Sequence, residues 1–431
     1  MRSGRFKRSL PWLALAMALA LPARAEDLLQ VYAQARAADP LLASAHLQRQ
    51  LQQEAGVQAR AALLPQWSLE ASESRRDGER SRSASSHVSQ ALIDLASLRQ
   101  WQAAETLGDA QSARVRAAEQ ALCARVATAY FGVLSAEAAL STAEANEQAF
   151  AQQVAQAQSR FAAGLSAQVD VDQARAYREL ARGATLQARE ALADARQALA
   201  ELTGQLPARL QPLQPKLPVQ APQPHDAQAW VDQALARNPI LQAYALQLRA
   251  GEQKIAAAQS AHLPTLALGL DSQRQTGAGV PQADAGRTLN TLALRLTIPL
   301  FAGGATESQK RQAVLQRDLL REEQEQARRT LLRETQAQYQ AVLGSIAQID
   351  SAEAAVQAAS QMLEATRAGQ NLGTRSMTDL LLAIQTLANA QNALAQARHR
   401  HVLATLLLQQ AAGGLGEEAL ALVNQLLVKE S

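Results

Sequence analysis

Two hydrophobic periods alternate along this chain. In the second half, Leu266, Leu268 and Leu270 alternate with Ala267, Gly269 and Asp271. Leu292, Leu294, Leu296, Ile298 and Leu300 alternate with Ala293, Arg295, Thr297 and Pro299. A period of two predicts a strand pair with one leucine face and one polar face. A weaker pair is predicted from about 66 to 74 and from about 85 to 93, with Trp67 and Leu69 on its apolar face. It flanks a charged turn, Arg75 to Arg80. Elsewhere the pattern is helical. From Leu95 to Phe161 and from Thr306 to Ala368 no proline interrupts it, and about 65 residues at 1.5 Å rise make rods on the order of 100 Å. Each rod runs to a glycine, Gly164 or Gly373, a residue that ends helices by taking the left-handed conformation. Return helices are predicted over 168–202 and 377–411.

The first return helix places Ala174, Tyr177, Ala181, Ala184, Ala188, Ala191, Ala195 and Ala198 at alternating three- and four-residue steps. That is a heptad seam built of alanine, which lets backbones approach closely. The matching positions in the second half are Ala383, Thr386, Ala390, Ala393, Ala397, Arg400, Ala404 and Leu407. A separate line through Leu380, Ile384, Leu387 and Leu394 suggests neighbours on two sides, as in a wall.

The chain is duplicated. Ala35-Arg36-Ala37-Ala38-Asp39-Pro40 and Leu64-Pro65 return as Ala234-Leu235-Ala236-Arg237-Asn238-Pro239 and Leu263-Pro264, an offset of 239 − 40 = 199. Gly164 and Asp170 return as Gly373 and Asp379, and Tyr130 as Tyr339, an offset of 373 − 164 = 209. Two copies of one plan are the simplest source of two fixed offsets. The division expected is a first repeat over 26–204, a crossover over 205–224 and a second repeat over 225–431. Each repeat runs helix (26–63 in the first), strand hairpin and two long helices, and the second adds a short terminal helix. The crossover holds Pro207, Pro212, Pro215, Pro218, Pro222 and Pro224, which exclude a helix or a central strand.

Composition narrows the class. Aromatic residues make up 3% of the chain, and alanine dominates its apolar fraction, so close helix contacts replace a core of bulky side chains. Arg2, Arg5, Lys7 and Arg8 precede an apolar run from Leu10 to Leu21 and the small residues of Ala23-Arg24-Ala25. Residues 1–25 are therefore expected to be a signal peptide. No later segment reaches the roughly 18 apolar residues of a membrane helix. Entry into a membrane therefore requires a closed β-barrel, with the leucine face toward lipid and Arg295 toward a wet lumen. Four strands per chain cannot close alone, since the smallest bacterial barrels use about eight. The barrel must be shared between subunits.

Catalytic chemistry is not evident. Of the six histidines only His399 and His401 are close, and an i, i+2 pair points to different helix faces. Cys123 is the single cysteine and reads as small buried filler. Gly413-Gly414-Leu415-Gly416 lacks the lysine of a phosphate loop. No enzyme, cofactor or metal site is read, and a net charge of +3 makes no case for nucleic acid. A periplasmic coiled-coil adaptor or scaffold without a pore remains the alternative at this point.

The residues also resemble the TolC family, the outer membrane efflux proteins or outer membrane factors, over essentially the whole mature chain. The segments that carry the resemblance are 26–36 (Glu26-Asp27-Leu28-Leu29-Gln30-Val31-Tyr32, then Gln34-Ala35-Arg36), 127–134, His262-Leu263-Pro264-Thr265-Leu266, Ile298-Pro299-Leu300, and Gly373-Thr374-Arg375 followed by Asp379-Leu380-Leu381. The resemblance implies a homotrimer, mainly α with a β-barrel part. Four strands from each of three subunits (3 × 4 = 12) would form a shared 12-stranded transmembrane β-barrel in outer-membrane lipid, continued by a long periplasmic α-helical barrel. It implies an outer-membrane channel subunit of a tripartite efflux pump or type I secretion system, with a periplasmic adaptor (membrane fusion) protein and an inner-membrane transporter as partners. It places a pore gate at Asp379, Arg375 and Asp170, and an adaptor-docking tip at Ala163, Gly164, Leu165, Leu372, Gly373 and Thr374. Five family positions differ: Ala163 and Leu372 stand where the valines of the docking turns are expected, Leu382 where a second aspartate is, Gln370 where a tyrosine is, and Val169 where a polar latch residue is. A single acidic ring with a weaker latch follows.

Overall fold

The computed structural model describes residues 25–277 and 286–428, with nothing said of the Arg76 side chain. The leader expected over 1–25 lies outside them except for Ala25. The first half runs α1 (Leu28–Ala38), α2 (Pro40–Ala61), β1 (Gln66–Arg76), β2 (Glu79–Ile93), α3 (Leu95–Ala162) and α4 (Gln168–Thr203). The second runs α5 (Ala227–Arg237), α6 (Pro239–Ser260), β3 (Thr265–Gly277), β4 (Thr288–Thr297), α7 (Ala305–Asn371), α8 (Met377–Ala411) and the terminal α9 (Glu417–Asn424). The rods α3 and α7 are 68 and 67 residues long.

The single helix expected over 26–63 is two helices. Asp39 is extended (φ −68°, ψ 118°), ends α1 and caps α2 by accepting from the Leu42 amide at 2.8 Å. Asn238 does the same between α5 and α6. In both, the following proline bars its predecessor from the helical region and tolerates the missing donor at a first helical position. Asp39 does more. Its buried carboxylate takes two hydrogen bonds from Arg125 of α3, at 2.9 and 2.8 Å, and those bonds hold its pKa below the ordinary carboxylate value. The second half has no such pair: position 125 + 209 = 334 is Glu334, and Asn238 donates instead to the Ala411 carbonyl at 3.3 Å. A cavity of about 560 Å³ lined by Asn238, Glu334 and Gln410 opens there.

The strands form one antiparallel sheet in the order β1-β2-β3-β4. The register sets Leu266, Leu268 and Leu270 opposite Leu296, Leu294 and Leu292, and Val88 between Leu270 and Trp67, all on one face. A bulge near Leu92 brings Ile93 onto that face opposite Leu266. The expected charged turn is mostly strand, because only Asp77 (φ 52°) and Gly78 (φ 89°) reverse the chain. Two residues with positive φ match the twist of a tight hairpin.

Below the sheet the helices keep its order. α2 packs on α3, α3 on α6 and α6 on α7; lower down, α4 packs on α3, α3 on α8 and α8 on α7. One chain is thus a strip of wall with open edges, β1, α2 and α4 on one side and β4 and α7 on the other.

The alanine seam is half as expected. On α4 the residues turned toward α3 follow 174, 178, 181, 185, 188, 192, 195, 199, with Ala174, Ala181, Thr185, Leu192 and Leu199 buried. On α8 the same positions plus 209 are 383, 387, 390, 394, 397, 401, 404, 408, with Ala383, Ala397, His401, Ala404 and Leu408 buried. Alanine takes every seventh place, and in most turns a larger residue takes the other. Ala184, Ala191 and Ala198 are exposed on the flank of the edge helix. Leu387 and Leu394 belong to the seam rather than to a separate line. A run of alanine at both spacings cannot by itself say which of two adjacent stripes is buried.

His399 and His401 do face different ways. His399 Nδ1 donates to Ser135 Oγ of α3 at 2.8 Å, and His401 Nδ1 to Ser345 Oγ of α7 at 2.9 Å, since each hydroxyl donates to its own helix backbone. Burial lowers the pKa of His401, and that of His399 to about 4. Above the seam, the crossover binds both chain ends: Glu26 N–H donates to the Arg209 carbonyl at 2.7 Å, and Gln214 N–H to the Leu426 carbonyl at 2.9 Å. Tyr130 Oη donates to the Glu26 and Gln211 carbonyls beneath it. Leu28, Leu122, Cys123, Leu210, Leu420 and Leu427 share the core of this belt.

Two outcomes follow. Arg125→Met should cost about 3–5 kcal/mol, read as a lowered melting temperature, because it strands a buried carboxylate. Adding Asp39→Asn, which keeps the cap, should recover most of it. For His399 the folded pKa lies below the unfolded one, so its stability contribution is complete above about pH 6.5 and is lost as pH falls toward 4, by roughly 3 kcal/mol. His399→Gln should flatten melting temperature across that window.

Candidate functional site: the tip and the sheet

The two turns at the far end of the hairpins have one geometry. Gly164 has φ 71° and Gly373 φ 73°. Leu165 N–H returns to the Arg160 carbonyl at 2.8 Å, and Thr374 N–H to the Gly369 carbonyl at 2.8 Å. A glycine with positive φ closed by a bond five residues back is a Schellman ending, and a side chain at either glycine would strain it. Leu165 and Leu372 project into solvent beside the glycines.

The entries to the return helices differ. Ser376 caps α8: its hydroxyl accepts from Asp379 N–H at 3.1 Å, and Asp379 Oδ2 accepts from Ser376 N–H at 3.0 Å. This reciprocal box holds the Asp379 carboxyl below its ordinary pKa, chiefly through the Ser376 amide, with Arg375 adding charge. Asp379 is exposed and stays ionised at neutral pH. Arg375 crosses the last turn of α7 because Gly369 leaves room; a Cβ there would lie 2.7 Å from Arg375 Cγ. Asp170 holds the same place on α4, but Ala167 replaces the serine, so no side chain caps that helix. Among the described residues no hydrogen bond or ion pair joins Asp170 to Arg375 or Asp379. Ser376-x-x-Asp379 was a legible capping pattern that the sequence reading passed over.

Behind the tip, the two hairpins share one core. Phe150, Val154, Val171, Met377, Leu380 and Leu381 are buried together, and Thr378 Oγ1 donates to Gln173 Oε1 between α8 and α4 at 2.9 Å. Gln370 is buried there too, with its amide against Met377 Sδ at 3.5 Å, while Val169 and Leu382 are exposed. Polar groups also sit within this core. Asn146 donates to Gln385 at 3.2 Å, but Asn146 Oδ1 and Gln153 Oε1 are buried with no partner. Asn146 and Gln153 did not stand out in the sequence, since single polar residues on a long helix look alike before their neighbours are known.

At the other end the sheet separates two environments. One face carries the leucines and Trp67. The other carries Arg295, the serine pair Ser72–Ser83 at 2.8 Å, and His87 bound to Asp271 at 2.5 Å. No helix among the described residues is long and apolar enough to cross a membrane. In a membrane-spanning barrel the leucine face is the one that meets lipid, and the polar face the one that lines the lumen.

Comparison with known proteins agrees with this geometry. The profile of the family described as outer membrane efflux protein matches residues 31–205 and 230–414, both halves of the chain. The outer membrane protein TolC of Escherichia coli (strain K12) is 33% identical over 94% of this chain and 86% of its own length. The alkaline protease secretion protein AprF of Pseudomonas aeruginosa is 28% identical over 97% of this chain and 91% of its own. The outer membrane protein VceC of Vibrio cholerae shares the fold at a TM-score of 0.79 and 23% identity, covering 90% of this chain and 96% of that one. A pore-free adaptor does not account for the leucine-faced sheet or for matches spanning both repeats. The chain belongs to the outer membrane efflux protein family, and is one subunit of a trimeric outer-membrane channel whose shared β-barrel continues into a periplasmic helical barrel.

Proposed function

We propose that the entrance of this channel is gated at its periplasmic tip by a single acidic ring, and that the tip receives a periplasmic adaptor linked to an inner-membrane transporter. Asp379 is the observation behind the gate. Its capping box fixes the carboxylate at the first turn of α8 and keeps it charged, so three copies brought together in a trimer repel anions and attract cations. Leu382, one turn further on and exposed, adds no second ring. Arg375 and Asp170 flank the ring.

Opening requires the shared core behind the tip to part. Unpartnered Asn146 Oδ1 and Gln153 Oε1 weaken it, because a buried acceptor without a donor costs about 1–3 kcal/mol that hydration on opening returns. Buried Gln370 packs against Met377 instead of reaching across as a latch, in keeping with a loosely held entrance. The docking surface comprises Ala163, Gly164, Leu165, Leu372, Gly373 and Thr374: two rigid turns that each expose a leucine, suited to helical hairpins of a membrane fusion protein. Efflux and type I secretion both fit a passive conduit; AprF is named for protease secretion, which supports the second.

Single-channel recording in planar bilayers tests the ring. Asp379→Ala should lower cation selectivity several-fold and relieve block by divalent cations; unchanged selectivity removes Asp379 from the gate. Ser376→Ala should keep the ring and the Ser376 amide but remove the hydroxyl's hydrogen bond, raising the Asp379 pKa only part of the way toward the ordinary carboxylate value. Its selectivity should then fade at a slightly higher pH than in the wild type as the solution is acidified, and identical titrations would show that the Ser376 hydroxyl does not tune the gate.

A further inference from the structure

The sheet extends beyond its leucine band, and its membrane-facing side changes character there. The register places Glu73 opposite Arg82, Arg75 opposite Arg80, and Arg274 opposite Ala84, all with the same parity as Trp67, Val88 and Leu270. They belong to the outer face, not to the lumen. Their height follows from strand geometry. Arg274 pairs with Thr288, eight residues above Leu296, the lowest leucine of β4 (296 − 288 = 8). Eight residues at about 3.3 Å, tilted by about 40°, rise roughly 20 Å, close to the upper edge of a barrel's apolar band of about 25 Å. Arg274 therefore lies at the outer boundary of the hydrocarbon, with Arg82, Arg80 and Arg75 just above it.

Among the described residues this side holds four arginines and one glutamate, a net charge of +3 per chain (4 − 1) and +9 per trimer. Glu73 meets Arg82 Nε at 3.0 Å and Arg80 Nε at 3.7 Å, which leaves the guanidinium ends open. Arg75 and Arg274 are exposed and have neither ion pair nor hydrogen bond among the described residues. Between the strands runs a groove of about 540 Å³, floored by Ala71 and Ala84 and walled by Arg82, Arg274, Thr276 and Glu73, whose carboxylate is taken up by Arg82 and Arg80. An aromatic girdle that would otherwise anchor a barrel at this level is missing among the described residues; Trp67 sits six residues lower on β1 than Glu73.

We infer that this groove binds the phosphorylated headgroup of an outer-leaflet lipid. Arginine forks match phosphate oxygens bidentately, and the small floor admits a headgroup while the chains of the same molecule lie against the leucine rows below. Position selects the source: a ligand at this height that must satisfy both arginines and leucines is an amphiphile, not a free anion.

The test uses the intact trimer in phosphatidylcholine nanodiscs doped with a diphosphorylated disaccharide lipid or with its dephosphorylated form. Lipid retained per trimer is read by native mass spectrometry. The wild type should retain the phosphorylated form preferentially, and the preference should weaken with salt. Arg82→Gln with Arg274→Gln should reduce it roughly tenfold or more, given the strength of arginine at anionic lipid surfaces. Arg295→Gln, which removes one charge from the lumen face instead, should leave it unchanged; a heat-labile trimer on gels and a wild-type melting temperature establish that each variant is folded. No preference in the wild type, equal loss in Arg295→Gln, or competition by inorganic phosphate as effective as by the lipid would each overturn the inference.

Discussion

The structure depends on one requirement: every backbone N–H and C=O within lipid must find a partner. A four-stranded sheet with free edges at β1 and β4 cannot meet it alone. Three chains joined edge to edge can, and the join is heterologous, so it closes only if each strip curves by the right amount. That demand reaches far below the membrane. The helices repeat the strand order, so the rotation that seals the sheet also sets where α4 and α7 meet the next subunit. The exposed alanines at 184, 191 and 198 lie on that edge, where small side chains suit close approach.

Much of this was legible in the residues. Leucine alternation reported β3 and β4 because a half-buried strand leaves a period of two whatever surrounds it. The rods, the glycine turns and the duplication were legible for the same reason, being fixed by local geometry. The seam was not. Alanine occupies both candidate stripes of α4, so composition could not rank them, and Leu192 and Leu199 lay on the one that α3 covers. The breaks at Asp39 and Asn238 were visible as repeat markers, but a proline at a first helical position interrupts so little that the run read as continuous.

The tip divides similarly. Gly164, Gly373 and Asp379 followed from spacing and resemblance. What the sequence left unseen was how Asp379 is held, and which residues fill the core behind it. Gln370 stands where the family pattern expects a tyrosine of the latch, and here it is buried with Met377. The identity of a residue at a family position does not fix its direction when its neighbours have changed with it.

One difference between the repeats reaches furthest. The break at Asp39 is clamped to α3 by Arg125, whereas the break at Asn238 adjoins a cavity and faces Glu334 without an ion pair. Around a closed ring these junctions alternate, three stiff and three compliant. A wall built from six similar hairpins therefore has only threefold mechanics.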